Sequence, residues 1–181
     1  MYEDIKEMAA EAKDELWELA EGEPKFYLHW TAGWYGNPSD HYHICIDEGG
    51  GYELMTDDLA EVKSHTWNRN SGAIGIALEA FVGAKVVETE DGYNVDLGEN
   101  PPTDKQIKAM CEICAAICEE LNISADSIMT HAEAADKDGY GLDDDDPDCR
   151  WDLAVLHETD DWGTGGDMIR DIVGRMLQRE E

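Results

Sequence analysis

Apolar residues along this chain recur at two different periods. Over residues 3–20, Ile5, Met8, Ala9, Ala12, Leu16 and Leu19 fall three and four apart, which predicts an amphipathic helix with one buried stripe. Gly22 and Pro24 end it. Residues 25–30 then predict a strand, and Asn37, Pro38, Ser39 and Asp40 mark a loop. A second strand is expected over 41–47, with Gly49, Gly50 and Gly51 as the turn and 52–55 as the return. A short helix is expected over 59–63, and a buried strand of small and apolar residues over 73–81.

Residues 82–98 carry two short β-like runs around Asp91 and Gly92, a hairpin signal. Pro101 and Pro102 precede Thr103, which can cap a long helix with Gln106 as its capping-box partner; the helix is expected to reach Leu121 and stop at Asn122. Residues 128–130 predict a short strand ending at His131. Residues 134–148, rich in Asp and Gly, predict a loop, and 167–178 a final helix. Interleaved strands and helices predict an α/β (α+β) domain, a central mixed sheet flanked by helices. No internal repeat, low-complexity tract or linker breaks the chain, so a single domain is expected, with residues 1–24 as a helix packed on a body formed by 25–181.

At 181 residues, with 42% hydrophobic content, six Trp and seven Tyr, the chain can bury a real core. The formal charge of −30, from 43 acidic and 13 basic residues, excludes nucleic acid as a partner, because phosphate contacts need Lys and Arg. It also argues against stable association with an anionic membrane. A solubility bias accounts for such acidity, and adaptation to high salt is the sharper alternative, since salt screens self-repulsion. No charged-then-apolar N-terminal signal and no long apolar run is seen, so synthesis in the cytoplasm is expected. Cys111, Cys114 and Cys118 share one helical face with Ile113, Ile117 and Leu121 and are expected in the core as reduced thiols; a Cys-x-x-Cys redox or metal pair at 111 and 114 is the alternative.

Three polar side chains stand out as candidate ligands of one zinc ion. His29 lies in an apolar run, His131 ends another, and Asp146 opens the stretch Asp146-Pro147-Asp148-Cys149. Three protein ligands leave a fourth position for water, the mark of a catalytic zinc site, although the spacing matches no short zinc-finger pattern. Residues 136–141 hint at a calcium loop but lack its ligand ladder and closing Glu.

Six pieces in order carry a more specific message: Leu28-His29-Trp30-Thr31-Ala32-Gly33, Tyr42-His43-Ile44-Cys45-Ile46-Asp47, His65-Thr66-Trp67-Asn68, Ile74-Gly75-Ile76-Ala77-Leu78-Glu79-Ala80, His131-Ala132-Glu133, and Asp146-Pro147 with Trp151-Asp152-Leu153. Together they resemble the zinc-dependent N-acetylmuramoyl-L-alanine amidases shared by phage endolysins and peptidoglycan recognition proteins, over about residues 25–155. The resemblance implies one Zn2+ held by His29, His131 and Asp146, with Cys149 as a rival third ligand. It implies a peptidoglycan hydrolase that cuts the amide between N-acetylmuramic acid and L-Ala of the stem peptide. A phage or prophage endolysin is expected, made without a signal peptide, acting on the cell wall after release, and monomeric.

The resemblance also implies a proton-handling residue. Tyr42 matches the family Tyr. The family Glu position is Ala77 here, and Glu79, on the same strand face, is the nearest acid. His65, Asn68, Glu133 and Arg150 are expected to line the substrate site or to orient the ligands. Many relatives carry an oxyanion-stabilising Lys two residues before the third ligand. Counted from Asp146, that position is Asp144, which cannot do this work, so Arg150, His65 or Tyr42 would have to. A non-catalytic peptidoglycan-binding module of the same fold is the alternative reading, and an amidase for another peptide-like amide a third.

Overall fold

Strand β1 (Lys25–Trp30) lies between β4 (Ala73–Leu78) and β7 (Ile128–Thr130) and runs parallel to both. Strand β2 (Ile44–Ile46) continues the parallel set beyond β4, and β3 (Tyr52–Leu54) closes that edge antiparallel. The result is a mixed five-stranded sheet of order β3-β2-β4-β1-β7, in a computed structural model that describes residues 2–144 and 146–179.

Alternation along the strands sorts their side chains onto two faces. Phe26, Leu28 and Trp30 of β1, Ile74, Ile76 and Leu78 of β4, and Ile44 and Ile46 of β2 enter the main core. Tyr27 and His29, with Ala73, Gly75 and Ala77 opposite, turn to the other face, where Tyr27, Ala73 and Ala134 form a small separate cluster. That second face is made of small residues at the positions that flank His29, which leaves room for ring systems above the sheet.

The helices complete the layers. Helix α1 (Glu3–Leu19) buries Ile5, Ala9, Ala12 and Leu16 and packs on α2 (Asp104–Leu121), which also meets α4 (Gly165–Leu177). Helix α2 begins as its sequence foretold: Thr103 Oγ1 accepts from Gln106 N at 3.1 Å, and Gln106 Oε1 accepts from Thr103 N at 3.0 Å. Such a cap contributes about 1 kcal/mol. Asn122 ends the helix in the left-handed conformation. Cys111, Cys114 and Cys118 are buried free thiols whose pKa values burial pushes up, as expected for core residues.

Three element boundaries differ from expectation. Residues 59–63 form turns rather than a helix. Thr56 Oγ1 and Asp58 Oδ1 accept from backbone N–H groups of Asp58 and Ala60, and these local bonds compete with helical ones. The strand expected over 41–47 is only β2. The loop expected over 134–148 begins with helix α3 (His131–Asp138), launched by a capping box in which Thr130 and Glu133 exchange bonds, and ended by Gly139 at φ +79°. The hairpin appears as β5 (Lys85–Thr89) and β6 (Gly92–Asp96), a separate two-stranded sheet tied down by Tyr93 stacking on Trp162. No helix among the described residues is long and apolar enough to cross a membrane.

Candidate metal centre

Parallel pairing brings the two candidate histidines together. Thr130 of β7 pairs with Leu28 of β1, so the next residue on each chain, His131 and His29, stand side by side at the carboxyl end of the sheet. His29 is fully buried on the small-residue face, opposite Ala77. His131 is the first residue of α3, where the capping box sets the backbone direction. Their Nδ1 atoms lie 3.0 Å apart.

The carboxylate that joins them is Asp152. Its Oδ2 lies 3.6 Å from His29 Nδ1 and 3.4 Å from His131 Nδ1, and it takes the backbone N–H of Trp30 at 3.5 Å. Among the described residues these three side chains are the group of His, Cys, Asp or Glu whose ligand atoms converge closely enough for one metal ion. Burial alone would raise the Asp152 carboxyl, but hydrogen bonds to His131 and His29 outweigh it and hold the group well below the usual carboxylate range. Burial lowers His29 to about 4, against a smaller opposing pull from Asp152. Both effects leave a neutral imidazole and an ionised carboxylate, the protonation states a metal requires.

Asp146 stands outside this group. It is half-buried on the wall of an adjoining cleft, and its Oδ1 caps a turn by accepting from Asp148 N at 2.8 Å. Asp152, and not the expected Asp146, is thus the carboxylate that the fold brings to the two histidines. Cys149 lines the cleft on the other side and is likewise outside the group. A signal for Asp152 was present in its surroundings. It is the acid inside the apolar run Trp151-Asp152-Leu153-Ala154-Val155-Leu156, and a buried carboxylate needs a partner. Asp146 sits in a hydrophilic Asp-rich stretch, where a solvated loop is the ordinary outcome.

The remaining candidates fall into two sets. His65, Tyr42, Arg150 and Asn68 are at the site. His65 Nδ1 lies 3.1 Å from His29 Nε2, and the Tyr42 ring is centred 5.0 Å from that of His29. Tyr42 donates its hydroxyl to Trp30 O at 3.1 Å, and burial raises its pKa, so it stays a neutral donor. Arg150 is exposed where two clefts meet; both clefts are also bordered by Ser64, His65 and His131. Asn68, at φ +54°, lies on the rim of the larger cleft, about 1050 Å³ in volume, beside the exposed indole of Trp67.

Glu133 holds the backbone next to His131, and Glu79 lies away from the clefts. Glu133 caps α3 through Thr130 N and is gripped by both terminal nitrogens of Arg170, at 2.9 and 2.6 Å. Glu79 is buried and does not border either of the two clefts at the histidines. Burial, then the nearby Glu53 and Asp47, raise its pKa, while the Gly36 N–H opposes them. His43 is a core residue: its Nδ1 accepts from Gly75 N at 2.9 Å, so its protonated Nε2 donates to Glu61 O at 2.8 Å.

The sequence profile of the N-acetylmuramoyl-L-alanine amidase family matches residues 21–148, which takes in His29, His65 and His131 and stops short of Asp152. This chain belongs to that family. Membership supports peptidoglycan amidase activity, with peptidoglycan as the substrate. No curated protein matches significantly. Among solved structures, the chain is similar to the endolysin amidase LysCS from Clostridium intestinale, at 19% identity over 61% of this chain and 70% of that one, with a TM-score of 0.43. It is also similar to the amidase AmiD from E. coli, solved with an anhydro-N-acetylmuramic acid peptide, at 16% identity over 66% and 52% of the two chains and a TM-score of 0.48. For the Drosophila peptidoglycan recognition protein SA the figures are 15%, 65%, 79% and 0.40.

Proposed function

We propose that this chain is a zinc-dependent amidase that cleaves the bond between N-acetylmuramic acid and the L-Ala of the stem peptide, with His29, His131 and Asp152 as the zinc ligands. One observation carries the metal assignment: the three ligand atoms are separated by 3.0, 3.4 and 3.6 Å. Tetrahedral zinc with bonds of about 2.0–2.1 Å spaces its ligands about 3.3–3.4 Å apart. Two imidazoles and one carboxylate are a donor set that zinc accepts, and three protein donors leave one position open. When bound, zinc acts as a Lewis acid that polarises a carbonyl and brings the acidity of water toward neutral pH.

The chain's own residues supply the rest. With Asp152 as third ligand, the position two residues before it is Arg150, not Asp144. The apparent loss of the family's oxyanion-stabilising cation then disappears. We assign that role to Arg150, which lines both clefts together with His131 and whose Nη1 donates to the Asp148 and Cys149 carbonyls, so the guanidinium would leave that loop contact to meet an oxyanion. Tyr42, half-buried next to His29, gives its one hydroxyl proton to Trp30 O, and we assign it the role of turning that proton toward a bound carbonyl or leaving amide when substrate arrives. His131 is the ligand with an edge on both clefts, so substrate reaches the centre from that side.

An endolysin role, lysis of a bacterial wall from within the infected cell, belongs to the same proposal. Metal analysis of the wild type and His29→Ala, with mass spectrometry of fragments released from purified walls, tests it. One zinc per chain, lost in the variant, with release of free stem peptides is the expected result. Zinc without release would favour the non-catalytic binding module, and release of other fragments would favour a different amide.

A further inference from the structure

His29 has a second nitrogen, and its surroundings are as specific as those of the first. An imidazole that binds metal through Nδ1 carries its proton on Nε2. His29 is sealed from solvent, so that proton needs an acceptor within the protein. Two atoms are in reach: His65 Nδ1 at 3.1 Å and Thr66 Oγ1 at 3.4 Å. These two lie 3.0 Å from each other, which makes His65 Nδ1 the point where both neighbours converge.

We infer that His65, backed by Thr66, is a positioning residue that fixes the His29 ring with its Nδ1 electron pair turned to the zinc. This inference rests on the zinc reading of the His29, His131 and Asp152 group. To accept from His29, His65 must carry its own proton on Nε2, and that atom is buried with no hydrogen-bond partner among the described residues. The opposite tautomer would set two N–H groups against each other across 3.1 Å. The usual partner of a metal-bound imidazole is a carboxylate or a carbonyl. A neutral imidazole does the same work here without adding another negative charge to a chain that already carries −30.

The loop and sheet around His65 hold it in this pose. Asn70 Oδ1 accepts from the backbone N–H of His65 at 3.1 Å and of Thr66 at 2.8 Å. Beneath the ring lies Gly75, where a Cβ would stand 2.7 Å from His65 Cγ and 2.8 Å from Cδ2, so any side chain there would displace the imidazole. Gly75 is itself fastened to His43 by both backbone groups, at 2.9 Å each. A chain of fixed contacts thus runs from His43 through Gly75 to His65 and His29.

The test uses the full-length protein and zinc itself, with affinity measured by competition against a chromophoric chelator. His65→Leu is expected to weaken zinc binding by roughly 10–100-fold. His65→Asn, whose amide can present an oxygen where Nδ1 stood, is expected to recover most of the loss, and the visible spectrum of the Co2+-loaded protein should shift in the Leu variant and return in Asn. A folded His65→Leu variant with wild-type zinc affinity and an unchanged Co2+ spectrum would overturn the inference. Where His65→Leu does not fold, His65→Asn and His65→Gln decide: both are polar, only Asn reaches the Nδ1 position, and equal affinities would overturn it. Failure of the zinc reading itself is separately visible, because the wild type would then bind no zinc.

Discussion

Asp152 Oδ2 stands 3.4 Å from His131 Nδ1, which makes the acid of the Trp-Asp-Leu run, rather than the first acid of the Asp-Pro loop, the carboxylate at the centre. Replacing the two acids in turn separates their roles. Asp152→Ala is expected to lose zinc by about 100-fold or more and to lose activity with it, as removal of a ligand does. Asp146→Ala keeps its zinc, because Asp146 only caps a surface turn. Chelator competition on both variants checks this, and zinc loss confined to Asp146→Ala would reverse the assignment.

Arg150 is expected to act on the reaction step more than on binding. Arg150→Gln should lower kcat by about 100-fold with a small change in KM, the size seen when one oxyanion donor is removed. Arg150→Lys should recover part of the loss, since the charge remains while the planar fork does not. A rise in KM with unchanged kcat would instead make Arg150 an anchor for the substrate's carboxylates.

Glu79 is expected to be a buried acid under strain, not the proton carrier. Its pKa is raised by burial first and by Glu53 and Asp47 next, so the fold binds its proton more tightly than the unfolded chain does. Its contribution is therefore lost as pH rises toward neutrality. Glu79→Gln should hold activity within about 3-fold and melt about 2–4 °C higher at pH 7, equivalent to about 1 kcal/mol. A drop of about 100-fold in kcat would return Glu79 to catalysis.

Acid should unfold the zinc-free protein earlier than surface histidines would allow. His29, His43 and His65 are each lowered by burial. Below about pH 6.5 the unfolded chain protonates them while the fold keeps them neutral, so the unfolded state binds more protons and stability falls with pH. For His29 the loss continues to about pH 4. The slope approaches about 1.4 kcal/mol per pH unit for each histidine whose folded and unfolded forms differ by a full proton. Urea titrations of chelator-treated protein between pH 7.5 and 5 measure the slope, and a flat profile contradicts it.

Salt should stabilise the fold. With 43 acidic and 13 basic residues, repulsion is widespread, and screening shortens its range from ~10 Å at 0.1 M to ~3 Å at 1 M. The melting temperature is expected to rise by several degrees across that range, and a constant value would leave the acidity as a matter of solubility alone.

Much of the fold was legible in residue order because it depends on local periodicity. The Thr103 and Gln106 cap, the Asn122 stop, the α1 stripe and strands β1, β4 and β7 each follow from neighbours three, four or two residues apart. The same kind of signal lay unread at Thr130 and Glu133, whose capping box turns the expected loop into α3. His29 and His131 were visible as polar residues ending apolar strands, and the order of six motifs pointed to one family.

What local order leaves open is which of several acids meets two imidazoles. Asp144, Asp146, Asp148 and Asp152 lie within a few residues of one another, and chain spacing does not rank them. Packing does: Leu153 and its apolar neighbours enter the core and carry Asp152 inward, while Asp144, Asp146 and Asp148 stay outside the core. The same holds for His65 under Gly75 and for Glu79 away from the cleft. Each depends on strands that are far apart in sequence and adjacent in the sheet, a proximity created by parallel pairing and burial rather than by any stretch of chain.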